Sequence, residues 1–286
     1  MDQDSLVFVH KAQRAELTDL QVYEALARKE KDPKNKKILL TIAKDEQHHY
    51  AFWKSYSKID VAPLRFRKCM ILFFASLFGV SFALRFMESL EVGATKFYKE
   101  RVKQFTKAKA IIKDEEKHER LLIGMLSDER LVYASSVVLG LNDALVEISA
   151  ALVGFSIALR DAKLIAITGA ITGFAASLSM AASGYLSTRE EDIVGKAPLK
   201  GAMYTGIAYV VTVVLLILPY VLFDVFVAIG VMIGVVLLII SLYTFYITTA
   251  KGLSFWRRFV EMAVISLGVA CISFLFGLLL RKFVGV

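Results

Sequence analysis

Two short motifs in the first half of the chain carry residue types that bind transition metals. KDEQHH recurs further along as KDEEKH, and each motif places a glutamate three residues before a histidine, Glu46 with His49 and Glu115 with His118. Residues three apart on a helix share one face. A Glu-x-x-His pair on each of two helices, with one glutamate from each of two others, is the ligand set of a carboxylate-bridged di-metal site in a four-helix bundle.

A further glutamate lies before each motif, and in both copies a tyrosine follows that glutamate at the same distance. Glu16 lies seven residues before Tyr23, and Glu91 lies seven residues before Tyr98. One Glu-x-x-His alone is most often a solvated helix face, but two in register, each with an upstream glutamate, favour a metal site. Carboxylate and imidazole ligands suit iron, manganese or zinc. Glu88, one turn before Glu91, is an additional candidate ligand.

The elements that must position these residues are helices. Apolar side chains at helical spacing and the breaks at Asp32-Pro33 and Pro63 predict four of them. Their expected ranges are roughly 5–31, 34–56, 65–105 and 107–126. Short links between helices are typical of a bundle, so residues 1–126 are expected to form a four-helix domain.

The rest of the chain, residues 127–286, is predicted to be a membrane domain. The hydrophobic share of 56% and the mean hydropathy of +0.56 are too high for an ordinary soluble protein. Five apolar segments are each long enough to cross a hydrocarbon core of about 30 Å. They lie at roughly 131–158, 163–186, 199–218, 221–249 and 256–280. The predicted fold is therefore all-α, a bundle followed by a domain of five transmembrane helices.

Charge and sorting signals indicate the side of the membrane. The formal net charge is +8, but no basic stripe with interleaved aromatic residues appears, which favours an anionic lipid surface over nucleic acid. The N-terminal segment has no basic region followed by an apolar one, so no cleaved signal peptide is predicted. The loops at 187–200 and 250–258 carry a modest excess of Lys and Arg, in the positive-inside direction. We expect a multi-pass protein of the inner cell membrane with its N-terminal domain in the cytosol.

The nearly uncharged stretch Cys69–Leu84 falls only a little short of a membrane span. If it crossed the membrane, Glu88 and Glu91 would lie on the far side from Glu46, and no shared metal site would form. We predict that it is the apolar half of a long third helix, packed against a partner subunit or lying at the bilayer surface.

Two acidic residues lie inside the first predicted span. Asp143 and Glu147 are four apart and share a helix face. A carboxylate in the membrane is costly unless it is paired, hydrated or metal-bound, so it marks a transport pathway by default. Met180 in the second span is either a gap-filling core residue or a soft ligand for Fe(II), and both roles stay open.

Residues 8–125 resemble the ferritin-like, rubrerythrin-type di-iron family. This resemblance implies a di-iron cofactor, with manganese or zinc as alternatives, and ferroxidase or peroxidase chemistry. The ligands that it implies are Glu16, Glu46, His49, Glu91, Glu115 and His118, with Glu88 as a further candidate. The chain has no rubredoxin-like cysteine pairs, so the electron-relay half of full rubrerythrins is missing.

The sequences VLGLNDALVE and SLSMAASGYLSTRE resemble the vacuolar iron transporter family, over about residues 128–286. The resemblance implies a homodimer with the pathway at its interface, Asp143 and Met180 binding the ion in transit, and proton-coupled antiport of Fe(II) or Mn(II). The Glu-rich helical insert of plant and fungal members is absent. The link at that position is short, and the N-terminal bundle stands in place of the insert. Glu190, Glu191 and Asp192 of the link are a candidate metal relay. The domain combination resembles prokaryotic membrane-bound ferritin-like iron exporters.

Three functions are compatible with these patterns. The leading one is export of Fe(II), or Mn(II), from the cytosol, with the bundle capturing or sensing metal. The second is a membrane-anchored di-iron ferroxidase or peroxidase, which Asp143 and Glu147 argue against because an anchor gains nothing from buried acids. The third is a metal-sensing bundle attached to a transporter, without redox chemistry. The order of preference between iron and manganese stays open.

Overall fold

The computed structural model describes residues 2–91, 105, 108–123, 125, 133–190 and 197–284; the side chains of residues 91, 109, 123 and 284 lie outside the description. All regular structure in these ranges is helical, which confirms the predicted all-α class. The helices are α1 (Gln3–Lys29), α2 (Pro33–Ser57), α3 (Arg65–Phe78), α4 (Val80–Glu91), α5 (Lys109–Ile123), α6 (Ala134–Leu159), α7 (Ala162–Glu190), α8 (Pro198–Leu222), α9 (Val225–Lys251) and α10 (Phe255–Val284). The chain divides into two compact units, Met1–Arg130 and Leu131–Val286, and each is described by itself.

In the first unit, α1 and α2 form a helical hairpin with a short link. Side-chain oxygens of Asp2 and Asp32 accept backbone N–H groups at the two N-termini, and Pro33 opens α2, where its missing N–H does no harm. Apolar residues at helical spacing, such as Leu26 and Leu39, are fully buried. The hairpin therefore presents one face of each helix to the interior of the unit.

The prediction of one long third helix over residues 65–105 is wrong. The helix stops at Phe78, because Gly79 adopts φ 96°, a left-handed conformation that favours glycine. The chain then turns back, and the rings of Phe74 and Phe86 lie 4.9 Å apart. Twelve residues along a straight helix would separate them by about 18 Å. The apolar stretch 69–84 is thus a tight pair of helices, α3 and α4.

Among the described residues of the second unit are five helices long and apolar enough to cross a membrane, α6 to α10, which confirms the multi-pass prediction. Helix α6 contacts each of the other four. Small residues permit close approach: a Cβ added at Gly140 would collide with the backbone carbonyl of Thr205 on α8. The carboxylate-bearing helix is therefore the central element of this unit.

One predicted boundary in this unit differs from the structure. The predicted spans 199–218 and 221–249 leave a turn at Pro219, yet α8 continues through Pro219 to Leu222. Membrane helices tolerate an internal proline, and the carbonyl of Pro219 accepts the N–H of Phe223. The turn instead lies at Phe223 and Asp224, where α9 begins.

Candidate metal centre and membrane carboxylates

Four side chains from three helices converge in the first unit. Glu16 of α1, Glu46 and His49 of α2, and Glu115 of α5 each offer one ligand atom, and these atoms all lie within 4.8 Å of one another. The first three are buried and Glu115 is half-buried. A group of carboxylates and an imidazole so close together in the interior can bind a metal ion.

Two of the carboxylates face both histidines. Glu46 places Oε2 3.5 Å from Nδ1 of His49 and Oε1 3.4 Å from Nδ1 of His118. Glu115 places Oε1 3.6 Å from Nδ1 of His49 and Oε2 3.9 Å from Nδ1 of His118. The two rings lie 6.0 Å apart. Each carboxylate thus turns one oxygen to each histidine.

The inward-facing atoms are the ones whose hydrogen bonding is incomplete. Nδ1 of His49, Nδ1 of His118 and Oε2 of Glu46 are buried without a hydrogen-bond partner in the part of the chain that the structure describes. Buried polar atoms in this state are destabilising. A cation at the centre would satisfy them, so the residues present fit a metal of the iron, manganese or zinc kind.

Two aspartates that the sequence analysis missed hold the histidines from outside. Nε2 of His118 lies 3.1 Å from Oδ2 of Asp45, and Nε2 of His49 lies 3.4 Å from Oδ2 of Asp114. A carboxylate on one ring nitrogen orients a histidine and leaves the other nitrogen for a metal. The available signal was the aspartate directly before the glutamate in both copies of the motif.

Trp53 is a second residue that sequence reasoning missed. Its fully buried indole donates a hydrogen bond from Nε1 to Oε1 of Glu16, at 3.2 Å. The other oxygen of Glu16, Oε2, lies 3.6 Å from Nδ1 of His49. The indole therefore fixes the orientation of a candidate ligand.

Burial and close contacts change the protonation of this cluster. Burial by itself lowers the pKa of His49, but the nearby carboxylates of Glu16 and Glu46 outweigh it and raise that pKa to about 11. Burial acts to raise the pKa of Glu46, yet the facing rings of His118 and His49 lower it to about 2. Burial raises the pKa of Glu16 to about 7, with the nearby His49 ring opposing the shift. Without metal, the cluster carries a proton on His49 at neutral pH.

In the part of the chain that the structure describes, this group does not include the other two predicted ligands, Glu88 and Glu91. Glu88 lies on α4, where it accepts a hydrogen bond of 2.8 Å from Arg85 one turn earlier. Glu91 ends α4, and its side chain lies outside the described residues, as does Tyr98. The part assigned to both glutamates stays a prediction.

In the second unit, α6 carries the two membrane acids. The hydroxyl of Tyr209, fully buried on α8, donates a hydrogen bond of 2.8 Å to Oε2 of Glu147. The carboxyl groups of Asp143 and Glu147 also interact with each other. Glu147 is exposed at the surface of the unit and Asp143 is half-buried. Tyr209 had no signal in the sequence, because only the packing of α8 on α6 makes it a neighbour.

The other residues predicted for the pathway and the metal relay lie on α7 and in the link that follows it. Met180 on α7 is half-buried and packs against the apolar core of the second unit, a contact that suits a gap-filling side chain. Its role as a metal ligand stays a prediction. Glu190 is the last residue of α7, and Glu191 and Asp192 lie outside the described residues.

Comparison with known proteins adds one match. Residues 134–197 match the model of the VIT family. The matched part covers α6 and α7 and so includes Asp143, Glu147 and Met180. No curated protein and no solved structure matches the chain. The match and the five apolar helices support a relationship to the vacuolar iron transporters and a role in moving metal ions across a membrane.

Proposed function

We propose that the protein exports Fe(II), or Mn(II), from the cytosol by exchange for protons, and that its N-terminal unit captures or senses the same metal. The observation that carries this proposal is the VIT match, because it falls on the span that holds Asp143 and Glu147. The setting that we propose is the inner cell membrane, with the first unit in the cytosol. As in the resemblance, the transporter is a homodimer with the pathway at its interface.

The chemistry of the membrane carboxylates supports ion exchange. Metal and proton compete for the same carboxylate oxygens, so one pair of acids serves an outward metal and an inward proton in turn. The exposure of Glu147 on a membrane helix suits a residue that faces a water-filled path or a second subunit. Tyr209 donates a hydrogen bond to Oε2 of this carboxylate and so orients it.

The Glu/His cluster of the first unit supports metal capture. Glu16, Glu46, His49, Glu115 and His118 are the residues that would hold two ions, with Glu91 as the sixth ligand by the resemblance. Bound iron would supply one-electron redox chemistry there. The chain's own contribution is to orient both histidines through the aspartates and to move protons off His49 when metal binds.

Transport into proteoliposomes tests the proposal. Wild type should carry Fe(II) under a proton gradient, and Asp143→Asn should lose that transport. Asp224→Asn is the matched control, because it removes one carboxylate from the turn between α8 and α9. Loss in both variants, or in neither, would refute the assigned pathway.

A second candidate function is a membrane-anchored di-iron ferroxidase or peroxidase. The buried histidine nitrogens of the cluster favour this function, since a redox site needs metal ligands that are already positioned in the protein interior. The paired substitutions Glu46→Gln and His49→Gln separate the enzyme, the sensor and the capture functions. Loss of Fe(II) oxidation with intact transport indicates an enzyme, and an altered metal threshold for transport indicates a sensor. Complete loss of transport indicates obligatory capture.

A further inference from the structure

Helix α3 is held against α1 by one of its faces. Ile71 and Ala75 on α3 are buried. Arg67 forms an ion pair with Asp19 of α1, with 3.2 Å between Nη2 and Oδ1. These contacts fix the rotation of α3 about its own axis, and so decide which side chains point outward.

The outward face is apolar. Phe66 is 81% exposed and Phe73 is 62% exposed, and Cys69 between them is exposed as well. Spacings of three and four place these residues in one stripe, on the side of the helix opposite to Ile71 and Ala75. We call this stripe of Phe66, Cys69 and Phe73 the outer face of α3. Two phenylalanines this exposed beside each other mark an interaction surface.

Positive charge lies at both ends of the outer face. Arg65 is exposed at its start, and near its end Lys29 of α1 donates a hydrogen bond to Ser76. The first unit as a whole is basic: residues 131–286 hold ten Lys/Arg and eight Asp/Glu, so +6 of the net +8 belongs to residues 1–130. An aromatic stripe flanked by cations is the pattern of helices that lie in the surface of anionic bilayers.

The geometry rules out a membrane span for this segment. Helix α3 has 14 residues, about 21 Å at 1.5 Å per residue. The hydrocarbon core is about 30 Å thick. At Gly79 the chain reverses, and Phe86 of α4 returns to pack on Phe74. A helix this short, followed by a reversal, does not cross the hydrocarbon core.

We propose that the outer face of α3 inserts into the headgroup region of an anionic lipid bilayer. A bilayer is a partner that this chain meets in any case, because the described residues include five helices that can span one. A second copy of the chain is a poorer occupant. In either orientation of two such stripes, the basic end with Arg65 or Lys29 meets another basic end, and like charges repel. Anionic headgroups neutralise both.

The native thiol in the outer face allows a direct test with the full-length protein. Cys271→Ser leaves Cys69 as the sole cysteine, since the sequence has two. Cys69 is labelled with a fluorophore, and the protein is reconstituted in vesicles of phosphatidylcholine and phosphatidylglycerol that contain nitroxide lipid. The matched control carries the label at Thr41→Cys, on an exposed position of α2, with both native cysteines replaced by serine.

The proposal expects nitroxide lipid to quench the Cys69 label and to leave the Thr41→Cys label largely unquenched. Adding Phe66→Glu and Phe73→Glu should abolish the quenching, and vesicles of phosphatidylcholine alone should weaken it. Circular dichroism and elution volume in detergent establish that the double variant is folded. Equal quenching at both positions would overturn the proposal. So would a Cys69–Cys69 cross-link without quenching, which would instead indicate contact between two copies.

Discussion

His118 and Asp45 form a hydrogen bond from α5 to α2, with 3.1 Å between Nε2 and Oδ2. The same relationship holds in reverse between His49 and Asp114, at 3.4 Å. The aspartate of each KDE-x-x-H motif therefore orients the histidine of the other. The two motifs thus build one centre together, and neither is complete alone.

Removal of one of these aspartates should weaken metal binding. Asp45→Asn keeps the size of the side chain but removes the charge that orients His118. Loss of such an outer partner lowers metal affinity by about 10- to 100-fold in known sites. Titration with Mn(II) would measure it. Asp60→Asn is the control, since Asp60 is exposed and pairs with Lys54. Equal affinity in all three proteins would argue against the role of Asp45.

Metal affinity should rise with pH. Because the pKa of His49 is raised to about 11, this histidine is protonated at neutral pH and must lose its proton to bind metal. Below the Glu16 pKa of about 7 a second proton must leave, so the dependence is steeper there. Each proton released corresponds to about tenfold in affinity per pH unit.

The pH dependence can be measured by Mn(II) titration below and above the Glu16 pKa. His49→Gln should reduce the slope by about one proton, because the group that releases the proton is gone. An affinity that stayed constant or fell as pH rose would contradict the assignment of His49 as a ligand.

Tyr209 should tune the membrane carboxylate. Tyr209→Phe keeps the ring and removes the hydrogen bond of 2.8 Å to Glu147. A hydrogen bond to a charged group contributes about 1.5–3 kcal/mol, so we expect Fe(II) transport to fall by about tenfold or more. The matched control is Tyr220→Phe, whose hydroxyl contacts Ser156. A similar effect of both variants would indicate general packing.

Gly140 should be intolerant of any side chain. A Cβ at this position would collide with the backbone carbonyl of Thr205, which cannot move aside as a flexible side chain would. We expect Gly140→Ala to destabilise the protein by about 1–3 kcal/mol. Gly230→Ala is the control, because a Cβ there meets nothing within 4 Å. The midpoints of thermal unfolding of the two variants are measured in detergent. Equal midpoints would contradict the close approach of α6 and α8.

Some of the candidate metal centre could be predicted because it is local. The three-residue spacing of Glu46 and His49 places them on one helix face whatever the tertiary structure. Local spacing does not predict which aspartate contacts each histidine. Asp45 lies on the same helix as His49 but forms its hydrogen bond with His118. Which helices are neighbours, and at what height, depends on the packing of the whole unit. For the same reason Trp53 and Tyr209 had no signal in the sequence.

The sequence by itself determined the helical class, the apolar segments able to cross a membrane and the types of side chain available to metals. These follow from periodicity, length and composition, which act within a single segment. The tertiary structure alone decided the reversal at Gly79, the reciprocal aspartate bonds and the outward face of α3. Apolar periodicity runs through Gly79 without interruption, so only the packing of Phe86 on Phe74 reveals the turn. Contacts between distant segments decide such features, because many pairings satisfy the same local pattern.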